Sequence, residues 1–211
     1  MRVFYAVYIQ DDFWRRWMDV IRFLCNPNEK HSAHVTLRGP YKQRYALKAM
    51  SEAIEGKVID VQHVGAFWGI SQNTVFLRCD SPYMEKVWYK PHVGYHPHLT
   101  LYDGGLRGFA DVLYTILRQH DVRFAFHASK LYPLVSSQGQ SGFNLATQFE
   151  ASEVAEVLGE EVSVHRIHSL DEERRLEMVS QVCNHLFPRL RRPQFSHTDL
   201  SAHPRAAVAG A

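Results

Sequence analysis

The sequence predicts an α+β fold in two lobes, and three observations predict it. Strand-like and helix-like segments alternate over residues 1–148. A short strand motif, His-x-Thr, occurs as His34-Val35-Thr36 and again as His98-Leu99-Thr100, 64 residues later. Each copy follows a helical pattern and precedes another, as an approximate duplication would leave it. The 211 residues are 45% hydrophobic and 12% aromatic, enough for a packed interior of one large domain or two small lobes.

The elements follow in order. Val3 to Ile9 alternates like a strand. Asp11 and Asp12 are helix-start residues, and Phe13, Trp17, Val20, Ile21 and Leu24 recur at helical spacing to about Cys25. Ala33 to Leu37 is a short strand holding the first motif, stopped by Gly39-Pro40. Tyr45 to Ile54 suits a helix. Val58 to Trp68 and Thr74 to Cys79 are strands joined as a hairpin. Ser81-Pro82 opens a helix to about Tyr89, with Pro82 at the favoured first-turn position. A loop over Pro91 to Pro97 leads into the strand His98 to Tyr102, ended by Asp103-Gly104-Gly105. Phe109, Val112, Leu113, Ile116 and Leu117 form a helical stripe. Val122 to Val135 is strand-like, and Ser136 to Gly142 is a turn-rich loop. A helical extension over 149–192 carries helices from Glu150 to Leu158 and from Glu172 to Leu186. Residues 193–211 read as a disordered tail.

Lys and Arg number 24 against 22 Asp and Glu, a net charge of +2. That balance excludes a protein coating nucleic acid by bulk charge and leaves room for a small anion held by placed groups. Cys25, Cys79 and Cys183 form no paired motif, so no disulfide framework or thiolate zinc site is expected. The N-terminus lacks signal-peptide features, and no apolar run reaches the ~20 residues of a membrane span. A cytoplasmic location is the expectation.

The thirteen histidines direct the search for chemistry. Alternate side chains of a strand share a face, so His34 pairs with Thr36 and His98 with Thr100, while Val35, Leu37, Leu99 and Leu101 point to the other side. Two such strands side by side bring two imidazoles and two hydroxyls around one polar volume. One neutral imidazole can remove a proton from an attacking water or hydroxyl, and the other, protonated, can donate to a leaving oxygen. The hydroxyls can hold the non-bridging oxygens of a phosphate. This chemistry requires no metal.

His34-Val35-Thr36-Leu37-Arg38-Gly39-Pro40 and His98-Leu99-Thr100-Leu101-Tyr102 resemble the two signature motifs of the two-histidine phosphoesterase superfamily. That group holds the 2′-5′ RNA ligase-like proteins and the 2′,3′-cyclic nucleotide phosphodiesterases. Asp103-Gly104 after the second motif is similar to the cyclic phosphodiesterase branch. The resemblance implies a bilobal fold of two antiparallel sheets flanked by helices around a central cleft. It implies that His34 and His98 are acid and base, in unassigned order, and that Thr36 and Thr100 hold the phosphate. The implied activity is hydrolysis of a cyclic phosphate or 2′,5′-linked phosphodiester of a nucleotide or RNA end, without a cofactor. A non-catalytic nucleotide- or RNA-binding module on the same scaffold is the alternative. The extension has no counterpart in the compact family core; it could cover the cleft, form a dimer or bind another protein.

Further candidates carry two readings each. Arg38 is expected to point away from Thr36 as an ion-pair partner, or to reach the phosphate if the strand twists into the turn. Tyr41, Tyr102 and Trp68 could stack on a base or serve as rim and core residues. Tyr5 or Tyr8 could face the cleft. His92, His96 and His98 have a density that suits zinc, against a reading in which only His98 reacts. His31 is expected in an exposed loop. Arg189, Arg191 and Arg192 could touch a nucleic-acid backbone, although a solvated helix end explains them too.

Overall fold

The structure is a computed structural model that describes residues 2–29, 31–90, 94–135, 152–160 and 164–190. The expected loop over Ser136 to Gly142, the boundary at 148/149, the start of a helix at Glu150, His92, Arg191, Arg192 and the tail over 193–211 lie outside these residues.

Seven strands and seven helices are described. They run β1 (Val3–Tyr8), α1 (Asp12–Cys25), β2 (His34–Tyr41), α2 (Lys48–Ile54), β3 (Val58–Trp68), β4 (Asn73–Asp80), α3 (Pro82–Val87), β5 (His98–Gly104), α4 (Arg107–Arg118), β6 (Arg123–His127) and β7 (Tyr132–Val135). Then follow α5 (Ser152–Leu158), α6 (Val164–Ser169) and α7 (Glu172–Leu186). The fold is α+β.

The strands lie in the order β6-β3-β4-β5-β2-β1-β7, every neighbouring pair antiparallel. Two sheets were the expectation, and one seven-stranded sheet is found. Its halves, β6-β3-β4-β5 and β2-β1-β7, join where β2 pairs with β5, at the register Val35↔Leu99. The stretch Val122 to Val135 is two strands, not one: β6 pairs with β3 at one edge and β7 with β1 at the other.

Local sequence explains the helices. α1 buries Trp17, Met18, Val20, Ile21 and Leu24, an apolar stripe at helical spacing. The Asp11 side chain does not cap it; its carboxylate accepts from the backbone N–H and Nδ1 of His127 instead. Ser81 caps α3 by accepting from the Tyr83 N–H, ahead of Pro82. Asp171 caps α7 by accepting from the Arg174 N–H at 2.7 Å. α6 was not expected; six residues are too few to show a helical stripe.

β2 and β5 run past the punctuation expected to stop them. β2 continues through Gly39 at φ 110°, where a Cβ would stand 2.8 Å from the Val3 carbonyl oxygen. Only glycine lets β2 pass that close to β1. Leu99, Leu101, Val35 and Leu37 are fully or nearly fully buried, and α1 and α4 pack against β5. α7 packs on α1 and α4, and its buried Val179, Val182 and Cys183 join the same hydrophobic core. Among the described residues no helix is long and apolar enough to cross a membrane.

Candidate active site

Over residues 34–38 of β2, Val35 and Leu37 are buried and His34, Thr36 and Arg38 partly buried. In β5, Leu99 and Leu101 are buried and His98 and Thr100 partly so. The antiparallel register that sets Val35 opposite Leu99 brings His34 alongside Thr100 and Thr36 alongside His98. All four polar side chains line one cavity of about 320 Å³, together with Phe4, His31, Lys90, Leu134 and Val135.

The two imidazoles are held alike. The Nδ1 of His34 lies 2.7 Å from the Ser32 carbonyl, and the Nδ1 of His98 lies 2.8 Å from the His96 carbonyl. A carbonyl only accepts, so each Nδ1 carries the proton and donates. In the neutral ring Nε2 is then the bare nitrogen, on the far edge from the backbone. Burial pushes both pKa values down from 6.5, His98 to about 4 and His34 further. The Arg22 guanidinium, 3.4 Å from Nδ1 of His34, adds to the effect there.

Their surroundings differ. His34 has the ring of Tyr8 at 5.6 Å and that of His31 at 6.0 Å. His98 sits among Phe76 at 4.8 Å, His96 at 5.5 Å and Phe67 at 5.8 Å. Phe76 can lie there because Gly65, directly opposite on β3, leaves the space that a side chain would fill.

Lys90 brings a cation to the cavity, its pKa lowered by burial and its Nζ 5.4 Å from the Trp88 ring centre. Sequence reasoning passed over it, because a single lysine in a loop has no pattern. His31 is partly buried on the cavity wall, not exposed, and Tyr5 and Tyr8 are buried.

Other candidates stand elsewhere. Arg38 leaves the row of His34 and Thr36, since Ala6 pairs with Thr36 and Tyr5 with Arg38, which makes Leu37 an extra residue in β2; no carboxylate pairs with Arg38 among the ion pairs of the described residues. Its Nε donates to the Tyr41 hydroxyl at 3.0 Å, its Nη1 to the Val87 carbonyl at 2.7 Å, and its guanidinium lies 5.2 Å from the Tyr89 ring centre. Tyr41 packs in a cluster with Tyr5, Tyr45 and Tyr89. Neither lines the cavity.

Tyr102 is 5% exposed and packs on Phe109 of α4. The register explains it: Val75 pairs with Tyr102 and Phe76 with Thr100, so Leu101 is an extra residue in β5. That bulge resets the alternation and turns Tyr102 away from the motif face. Trp68 has the Arg107 guanidinium 4.0 Å from its ring centre and lies off the cavity. Among the described residues, no group of three His, Cys, Asp or Glu side chains is placed to hold a metal ion.

Fold and site thus define an α+β protein whose seven-stranded antiparallel sheet carries a paired histidine–threonine cavity with a lysine on its wall. No family model, no curated protein and no solved structure matches the chain.

Proposed function

We propose that the chain is a metal-independent phosphodiesterase that opens a cyclic phosphate or cleaves a 2′,5′-linked phosphodiester of a nucleotide or RNA end. One observation carries this reading: two imidazoles with the same Nδ1-to-carbonyl anchoring share one cavity with two threonine hydroxyls and Lys90. In the reaction, a water oxygen bonds to phosphorus as the bond from phosphorus to the leaving oxygen breaks. One histidine takes the water proton at Nε2, and the other gives its Nε2 proton to the leaving oxygen, yielding a phosphomonoester and an alcohol. Thr36, Thr100 and Lys90 hold the non-bridging oxygens as charge gathers on them. Two depressed histidine pKa values leave the empty site short of an acid; a phosphodiester anion supplies the negative charge that stabilises an imidazolium beside it. On this reading the two half-sheets that meet at β2–β5 play the part of the two lobes of a two-histidine phosphoesterase.

The test is a panel of 2′,3′-cyclic, 3′,5′-cyclic and 2′,5′-linked substrates, with chelator present. Wild type should turn over at least one, and His34→Ala and His98→Ala should each lose nearly all of that activity while keeping the native circular dichroism spectrum. Saturable nucleotide binding without turnover would replace the enzyme with a binding module. Activity abolished by chelator and restored by a metal ion would overturn the metal-free mechanism.

A further inference from the structure

A carboxylate is buried behind one of the two histidines. Asp19 is 1% exposed, among Trp17, Val20 and Ile21 on the buried side of α1. Its oxygens accept from the Ser32 hydroxyl at 2.8 and 2.7 Å, and Oδ1 also accepts from the Ala33 backbone N–H. Asp19 therefore grips the two residues that precede His34, and one of them supplies the carbonyl that anchors Nδ1 of His34. One turn along α1, Arg22 is 5% exposed, pairs with Glu29 at 2.6 Å and reaches 3.4 Å from the same nitrogen. A buried carboxylate costs far more than an apolar side chain of similar size unless its hydrogen bonds are made. At Asp19 those bonds go to the backbone that orients His34. His98 has the same carbonyl anchor, but Phe67, Phe76 and His96 surround it.

We propose that Asp19, acting through Ser32, is a positioning residue that holds His34 as the neutral Nδ1–H tautomer, and that Arg22, at close range, keeps that ring from taking up a second proton, so that His34 is the proton acceptor and His98 the proton donor. The assignment rests on the phosphodiesterase reading. Its argument is the placement of charge. The site must begin with one proton on an imidazole. A guanidinium 3.4 Å away penalises that proton on His34, whereas the aromatic rings around His98 tolerate a cation. Water then loses its proton to Nε2 of His34, and Nε2 of His98 gives its own to the leaving oxygen. The charged and titratable groups around His34 are Arg22 and Asp19 on α1, Glu29 and His31 between α1 and β2, and Tyr8 on β1. Those around His98 are Lys90, His96 and Asp103.

Two measurements on the full chain decide it. Long-range proton–nitrogen correlation spectra read the tautomer of each histidine without any substrate. Wild type should show Nδ1–H at His34, and Asp19→Asn and Ser32→Ala should blur that preference, while Ser32→Thr keeps it. Profiles of kcat/KM against pH read the roles. Arg22→Gln removes a cation beside His34 and should move the acidic limb up by about one pH unit, leaving the basic limb in place. Asp19→Asn loosens the grip on Ser32 and Ala33 and should lower kcat roughly tenfold to a hundredfold with KM unchanged within about twofold. A basic limb that moves with Arg22→Gln would reverse the two roles. An Nε2–H tautomer at His34 in wild type would overturn the positioning claim. Wild type that turns over no phosphodiester would sink the phosphodiesterase reading and the two roles that rest on it, while the spectra would still decide whether Asp19 positions the ring.

Discussion

Val35 and Leu99 stand opposite each other where the two halves of the sheet meet, and this one pairing arranges the site crosswise. Each histidine faces the threonine of the other motif across the seam. The buried aliphatics fix the register, because slipping by one residue would turn both imidazoles into the core. Replacement of Thr36 or Thr100 by Val keeps shape and removes one donor to the phosphate. Each single variant should lower kcat about a hundredfold, the usual effect of losing one transition-state donor. Steady-state kinetics with an unchanged thermal midpoint checks this.

The pH profile follows from burial. His98, the donor, loses its proton in the free protein at about pH 4. The free-enzyme profile, kcat/KM, should therefore fall as pH rises from about 4 towards 7. Bound phosphate favours the imidazolium, so the basic limb of kcat should lie at higher pH than that of kcat/KM. A kcat/KM optimum above pH 7 would contradict it.

Lys90 and Arg38 separate a ligand from a strut. Lys90→Met should raise KM roughly tenfold to a hundredfold, as expected for a lost charge-assisted hydrogen bond. It should also move the basic limb up, since the Lys90 charge helps depress His98. Arg38→Met should leave KM within about twofold and lower stability instead, because it loses bonds to Tyr41 and Val87. Substrate titrations of both variants make the comparison.

Gly65 lies under Phe76, where a Cβ would stand 2.4 Å from the ring. Phe76 is 4% exposed and has little room to yield. Gly65→Ala should cost about 1–3 kcal/mol, as overpacking does. Because Phe76 touches His98, kcat should fall as well. Denaturant unfolding and kinetics on the same preparation test both effects.

Stability should respond to acid in two opposing ways. His34 and His98 titrate below their ordinary 6.5 in the fold, so the unfolded chain binds the extra protons, and their contribution is lost as pH falls from about 6.5 towards 4. Burial pushes the Asp19 carboxyl up from 3.8 to about 6, so its contribution is present below 3.8 and lost as pH rises through 6. Asp19→Asn removes the second trend. Thermal midpoints between pH 4.5 and 7 should therefore fall more steeply on acidification in Asp19→Asn than in wild type.

The motif residues were legible because strand alternation is a local rule: a His and a Thr two apart must share a face, whatever the rest of the chain does. Tyr102 was not, since the bulge at Leu101 depends on pairing with β4, which lies outside the motif. The split of Val122 to Val135 has the same origin: strand propensity continues, but two different partners claim its ends. Asp19 did leave a trace in the sequence, as a carboxylate among Trp17, Val20 and Ile21 on a helix face that should be apolar. Arg22 sits on that face too. Lys90 acquires its meaning only from the cavity it reaches.

Crosswise pairing is what a two-fold rotation axis produces, and here the axis runs through the middle of a single polypeptide. The seam between β2 and β5 has the form of an isologous interface between two like subunits, sealed inside one chain. Neither half carries the whole cavity, since each brings one imidazole and one hydroxyl and meets those of the other across the seam. A covalent tether between the halves lets them diverge, which a symmetric dimer cannot do. One half has surrounded its histidine with ions and the other with aromatic rings.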